Sequence, residues 1–164
     1  MLNSIQHISN EKRKAILEAS IEEFSLRGYR NASTNNIVKK AGTSKGILFH
    51  YFTNKKTLYL FVIDQLVCYF AEKCLESDYA QNSDVFERII KWNEKILNIE
   101  YNDPVEFKFA VSILLNIPDD IMRELTSKYK DLYRRYYMYF IKDIDTSKFR
   151  EGLDPNRVFV YISL

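Results

Sequence analysis

The sequence predicts an all-α chain, with a small three-helix module at its N-terminus and a larger helical bundle behind it. Three observations predict this. Apolar residues recur at spacings of three and four, and no segment alternates convincingly with period two. Ser, Thr, Asn or Asp stands at the start of one periodic stretch after another. Three of the four glycines, at 28, 42 and 46, fall in the first 46 residues at the ends and turns of short elements.

Taken in order, Ser9 or Asn10 can cap a first helix whose Ile16, Leu17, Ala19, Ser20 and Phe24 share one face and which stops at Gly28. Thr34 can cap a second, about Asn35 to Ala41, ended by Gly42; Ser44 caps a third, about Lys45 to Phe52. Asn54 opens a fourth and longer helix running to about Glu76. Longer helices follow, about Asp84 to Tyr101, Pro104 to Asn116 and Asp119 to Asp143, each with an acid or a proline in its first turn. A further helix starts at Asp154-Pro155 and is apolar through Val158, Phe159, Val160, Tyr161 and Ile162, so the C-terminal end of the bundle is expected to continue past Leu164. The domain boundary implied is 1–56 for the module and 57–164 for the bundle.

Composition excludes several classes. With 164 residues and 46% hydrophobic content the chain can bury a sizeable core, unlike a disordered or collagen-like sequence. No apolar run is long enough to span a membrane and no signal peptide is visible, so the expected location is the cytoplasm. Cys68 and Cys74, six apart, face different ways on a helix and have no paired histidines near them; they are expected to be reduced packing residues, with no metal site. No paired carboxylates or Cys/His set stands at catalytic spacing, and His7 lies in a terminal arm, so an enzyme is not expected and no cofactor is implied.

Charge is divided unevenly. Residues 1–60 carry 10 Lys+Arg against 4 Asp+Glu, and the remainder 14 against 18, so the net +2 conceals a basic module on an acidic bundle. Between Glu23 and Asp64 there is no acid at all, while Arg27, Arg30, Lys39, Lys40, Lys45, Lys55 and Lys56 fall in that interval. An anionic partner such as nucleic acid fits this zone.

The third helix carries the most specific chemistry. Leu48, Tyr51 and Phe52 make an inward face, and Gly46, His50 and Thr53 the opposite one, flanked by Ile47 and Phe49. Gly46 allows close approach to another backbone, and Lys45 can reach guanine acceptors in a major groove. Lys55 and Lys56 occupy the first turn of the fourth helix, where the macrodipole disfavours cations; a phosphate there would compensate. Thr34 offers a hydroxyl and helix-start N–H groups to a second phosphate, and Asn35 can reach a base edge.

Glu11 to Leu58 resembles the DNA-binding domain of TetR-family transcriptional regulators. The residues that carry the resemblance are Ile16-Leu17-Glu18-Ala19-Ser20, Phe24, Gly28-Tyr29, Ser33-Thr34, Ile37, Ala41-Gly42-Thr43-Ser44, Gly46, Leu48-Phe49-His50-Tyr51-Phe52, Asn54-Lys55 and Leu58. The resemblance implies a third helix in the major groove, a phosphate contact from Lys55, and a remaining bundle that binds a ligand and dimerises. Candidate DNA contacts are thus Thr34, Asn35, Ser44, Lys45, Gly46, Ile47, Phe49, His50, Tyr51 and Lys55. Two departures stand out: Val38 replaces a usual alanine, and Phe49 a usual tyrosine, leaving only apolar contact at that position.

Residues 61–164 hold 18 of the 24 aromatic residues. Tyr129, Tyr133, Tyr136, Tyr137 and Phe140 form a stripe at helical spacing, which suits either core packing or the lining of a pocket for an aromatic or amphipathic effector. Trp92, Phe107 and Phe109 are further candidate walls. The expected function is a ligand-responsive repressor binding a palindromic double-stranded DNA operator as a homodimer, one helix-turn-helix per half-site. The alternative is an effector-free architectural or protein-interaction helical module that binds DNA.

Overall fold

A computed structural model describes residues 10–75, 84–147 and 149–152. Among the described residues there are seven helices and no strand: α1 (Asn10–Asn31), α2 (Thr34–Lys40), α3 (Lys45–Phe52), α4 (Lys55–Leu75), α5 (Val85–Asn102), α6 (Pro104–Asn116) and α7 (Asp119–Ile141). The all-α expectation holds, and α6 occupies the segment the sequence marked for it. The apolar start at Asp154-Pro155, the terminal His7 and the side chain of Cys74 lie outside the described residues.

Local chemistry explains the element ends. Gly28 sits inside the span of α1 at φ +66 and ψ 171, so the long helix breaks there as expected, and a short turn follows in which Ala32 N–H donates to the Gly28 carbonyl at 3.1 Å. A side chain at Gly28 would meet no crowding; the backbone, in the left-handed region, is what favours glycine. The cap of α2 is Ser33, one residue earlier than the expected Thr34, and its own side chain makes no capping bond. A carboxylate reaching across from α1 instead accepts the N–H of Ser33 itself and the side-chain amide of Asn36, a partner invisible to local pattern. Ser44 caps α3 as expected, accepting from Ile47 N–H at 3.2 Å. Asn54 Oδ1 accepts from the Thr57 N–H at 2.9 Å and hydroxyl at 3.0 Å to open α4, and Asp84 Oδ1 accepts from Phe86 N–H at 2.8 Å before α5.

The chain divides into two compact units, 1–70 with 103–119, and 71–102 with 120–164. This differs from the chain-order division at 56/57, because α6 and most of α4 pack with the first three helices. In the first unit Ile16, Phe24, Ile37, Leu48, Phe52, Leu58, Tyr59, Val62 and Phe109 are buried. Phe24, Tyr59 and Phe109, from α1, α4 and α6, form its aromatic centre, with ring centroids 4.7, 5.9 and 6.3 Å apart. Burial pushes the Tyr59 hydroxyl up to about 12, with Tyr29 as the second cause.

The second unit is organised around Val85 and Phe140, with Ile89, Trp92, Tyr139, Ile141, Ile144 and Phe149 packed against them. Arg88 is wholly buried there and donates from Nη1 to the Phe140 carbonyl. Cys68, expected to pack, is exposed: it lies on the outer side of α4, and the buried face uses Leu58, Val62 and Leu66 instead. No described helix is long and apolar enough to cross a membrane.

Candidate nucleic-acid interface

The two short helices α2 and α3 are joined by residues 41–44, with Gly42 at φ +60 and Thr43 N–H donating to the Val38 carbonyl at 2.9 Å. Ile37 of α2 and Leu48 and Phe52 of α3 are buried, which fixes the roll of both helices and leaves a definite outward face. That face of α3 carries Lys45, Gly46, Ile47 and His50, all exposed, with Phe49 and Tyr51 half-buried at its edges. Ile47 is 37% exposed although apolar. The His50 and Tyr51 rings meet edge to face at 5.1 Å. A Cβ at Gly46 would meet only Ser44 Oγ, at 3.8 Å, so the helix start is open to close approach from outside.

At the start of α2, Thr34 is half-buried and Asn35 exposed. Glu23, buried on α1, accepts the Ser33 N–H at 2.8 Å through Oε1, and both its oxygens lie 3.2–3.3 Å from the Asn36 amide nitrogen. Lys40 at the other end of α2 is ion-paired with Glu22. Lys55 does not extend into solvent: its ammonium donates to the carbonyls of Arg30 at 3.0 Å and Ala32 at 3.2 Å, and lies 5.1 Å from the Tyr29 ring centroid. These bonds hold the Lys55 ammonium beside the carbonyls at the end of α1. Sequence reasoning missed Glu23 altogether, and the only available signal was an acid at the edge of an otherwise acid-free stretch.

A family model described as bacterial regulatory proteins, tetR family, matches residues 16–62, which span α1 from Ile16, α2, α3 and the first turns of α4. The chain belongs to the TetR family. Over 124 residues it is 31% identical to the HTH-type transcriptional regulator RutR of Escherichia coli O157:H7, covering 74% of this chain and 56% of that one. Over 83 residues it is 32% identical to the uncharacterized HTH-type transcriptional regulator YdgC of Bacillus subtilis (strain 168), covering 49% and 43%. The chain therefore spans about half the length of these curated relatives. In fold it is similar to the crystal structure of a TetR family transcriptional regulator from Chloroflexus aurantiacus J-10-FL, with a TM-score of 0.70 at 20% identity, over 98% of this chain and 74% of that one. These relatives are described as transcriptional regulators.

The residues expected to line an effector pocket are distributed over both units. Phe109 is fully buried in the aromatic centre of the first unit, and Phe107 is half-buried on the same helix. Trp92 packs in the cluster around Val85 and Phe140. Tyr129, Tyr136 and Tyr137 are half-buried along α7, and Tyr133 is exposed. A polar cleft of about 510 Å³ does exist within the first unit, between the end of α1 (Ser25 to Asn31) and the end of α6 (Ser112, Asn116, Ile117), and none of these aromatic residues lines it.

Proposed function

We propose that this TetR-family regulator binds a palindromic double-stranded operator as a homodimer and represses transcription until a small aromatic or amphipathic effector releases it, all in the cytoplasm. The observation that carries the DNA-reading part is the outward face of α3, where a lysine, an open glycine, an exposed isoleucine and a histidine stand together with no acid in the helix. Lys45 supplies a donor for guanine O6 or N7, Ile47 and Phe49 apolar contact for sugar or a thymine methyl, and His50 and Tyr51 polar tips at the flank. Thr34 and Asn35 stand at the start of α2, where a hydroxyl can meet a phosphate and an amide a base edge. Ser44 holds the N-terminal turn of α3 in place.

A single head reaches one half-site, so two-fold symmetry supplies the second at a fixed spacing. The helix α4 passes from the first unit into the second after residue 70. An effector in the bundle that changes the course of α4 alters the spacing of the heads, and the two recognition helices then no longer fit successive grooves.

Selecting duplexes from a random pool with the full-length protein, then titrating variants, tests the reading. Lys45→Ala and Asn35→Ala are expected to weaken binding to the selected operator by about 1–3 kcal/mol and to relax preference at particular base pairs, with much smaller losses on random DNA. Equal losses on both duplexes would reduce these residues to backbone contacts.

A further inference from the structure

The geometry points to the cleft between the ends of α1 and α6 as a ligand site in its own right, one that takes a small organic oxyanion, a carboxylate or a phosphate monoester, and whose filling weakens binding to DNA of any sequence. The site stands apart from the function proposed above; its effect on DNA rests on that reading.

The cleft has a volume of about 510 Å³, within the range of small-molecule sites. Most such sites are lined by apolar side chains. This one is lined chiefly by polar groups: Arg27, Tyr29, Arg30 and Asn31 from α1, and Ser112 and Asn116 from α6. None of its lining residues is acidic. Both walls belong to the first unit, and the stacked rings of Phe24 on α1 and Phe109 on α6, 6.3 Å apart, fasten the two helices together. The break at Gly28 leaves space beside α1, since a Cβ there would meet nothing within 4 Å.

The charge around this space is positive. Arg27 meets Glu23 Oε1 at 3.5 Å through Nε, which leaves the rest of its guanidinium fork to donate elsewhere. The guanidinium of Arg30 and the side-chain amides of Asn31 and Asn116 have no hydrogen-bond partner among the described residues. Behind the same wall the Lys55 ammonium donates to the Arg30 carbonyl at 3.0 Å and lies 5.1 Å from the Tyr29 ring centroid. Glu23 is thus one carboxylate set against three cations. A carboxylate or phosphate answers that excess and matches the planar fork of a guanidinium, with the two amides to hold its remaining oxygens. An uncharged ligand would leave the excess unanswered.

The site lies close to the reading head. Asn31 in its wall precedes Thr34, the first residue of α2, by three positions, which is at most about 11 Å of extended chain. That is about one Debye length at ordinary salt, so phosphates met at the start of α2 feel the charge of a bound anion. The penalty is Coulombic and carries no sequence preference. An effector in the bundle, by contrast, acts on the spacing of two heads and so on the operator.

The experiment uses full-length protein labelled with nitrogen-15. Succinate and inorganic phosphate are the probes, and succinamide, which has the shape of succinate without its charge, is the control, all at constant ionic strength. At least one oxyanion is expected to shift the Gly28 and Asn31 amide resonances saturably, with half-saturation below about 10 mM, and succinamide to shift neither. Whichever oxyanion saturates first identifies the chemistry. Arg30→Gln removes a guanidinium but keeps the carbonyl that Lys55 uses, and Asn116→Asp places a negative charge on the opposite wall, outside the helix-turn-helix. Each is expected to raise the half-saturating concentration roughly tenfold. Both side chains are exposed, so folding is expected to survive. With the cleft filled, operator and scrambled duplexes are each expected to bind about threefold more weakly, a response that Asn116→Asp loses.

No saturable shift with either oxyanion would overturn the inference, and so would equal shifts from succinamide. Undiminished oxyanion binding by both variants, or unchanged DNA affinity with the cleft filled, would overturn it as well. If a variant fails to fold, the resonances of the unaltered protein still decide, because shifts confined to residues outside the cleft place the anion elsewhere. A protein that binds no duplex would sink the DNA reading and this effect with it, while Gly28 and Asn31, read without DNA, decide the site separately.

Discussion

In the first unit no described aromatic residue is exposed, whereas in the second Phe86, Tyr101 and Tyr133 stand in solvent and Phe140 alone among the described aromatics is buried. The first unit spends its rings on a closed centre, and the large apolar residues it exposes, Leu26, Ile47, Val105, Leu114 and Leu115, are aliphatic. The second leaves Phe86, Ile90, Leu97 and Tyr101 exposed at spacings of four, seven and four along α5, which puts them on one side of that helix. The homodimer proposed above would have this exposed apolar surface available to bury. Charged residues follow the same contrast: Glu23 and Lys55 hold backbone ends at a junction, while Arg88 is drawn wholly into the interior of its unit.

The contrast is most easily broken at Phe109. If α6 belongs to the core of the first unit, Phe109→Ala removes a buried ring that contacts both Phe24 and Tyr59, and a loss of about 3–5 kcal/mol in unfolding free energy is expected from urea denaturation. A loss below about 1 kcal/mol would mean that α6 contributes nothing to that centre. Phe109 would then return to the list of candidate pocket walls.

Such a partnership was not legible in the sequence, although much else was. The caps at Ser44 and Asn54, the break at Gly28, the proline-started α6 and the inward Leu48 and Phe52 are all local, decided within a few residues by capping chemistry or helical spacing. What escaped were the long-range choices. Glu23 accepts the Ser33 N–H across ten residues of chain, Lys55 folds back over 25 to the Arg30 carbonyl, and Cys68 faces outward because α4 is buried on another side. Apolar spacing tells which face of α6 is buried but not which helix covers it. For the same reason spacing alone does not separate Phe107 and Phe109 from Trp92 and the α7 tyrosines, which the fold assigns to a different unit.

A smaller effect sharpens the picture of the first unit as a dry centre. The Tyr59 hydroxyl is pushed up to about 12 by burial and then by Tyr29, so the folded protein holds this proton more tightly than the unfolded chain, whose tyrosines titrate near 10. Because the folded value is the higher, this group leaves stability unchanged below about pH 10 and subtracts from it as pH rises from there towards 12. Tyr59→Phe has no proton to lose. Between pH 8 and pH 12 the parent is expected to lose about 2 kcal/mol more than the variant, read as the difference between their urea midpoints. Parallel decline of the two would show that water reaches the hydroxyl.

The smallest expected effect falls at Tyr133, and it separates packing from signalling in the second unit. Its side chain is 56% exposed on α7, so Tyr133→Ala is expected to change unfolding free energy by no more than about 0.5 kcal/mol, the range for surface substitutions. Operator affinity without effector should be nearly unchanged as well, since the residue lies outside the unit that carries the recognition helix. If the tyrosine stripe of α7 does meet an effector, the same variant nonetheless fails to leave the operator when a compound that releases the parent is added, because a ligand shifts an equilibrium only through contacts that differ between its two states. Emission from Trp92, the only tryptophan, gives an independent reading of whether the compound still binds. Normal release by Tyr133→Ala would remove this residue from the effector site, and a large loss of stability would show that α7 buries it against a surface in the assembled protein.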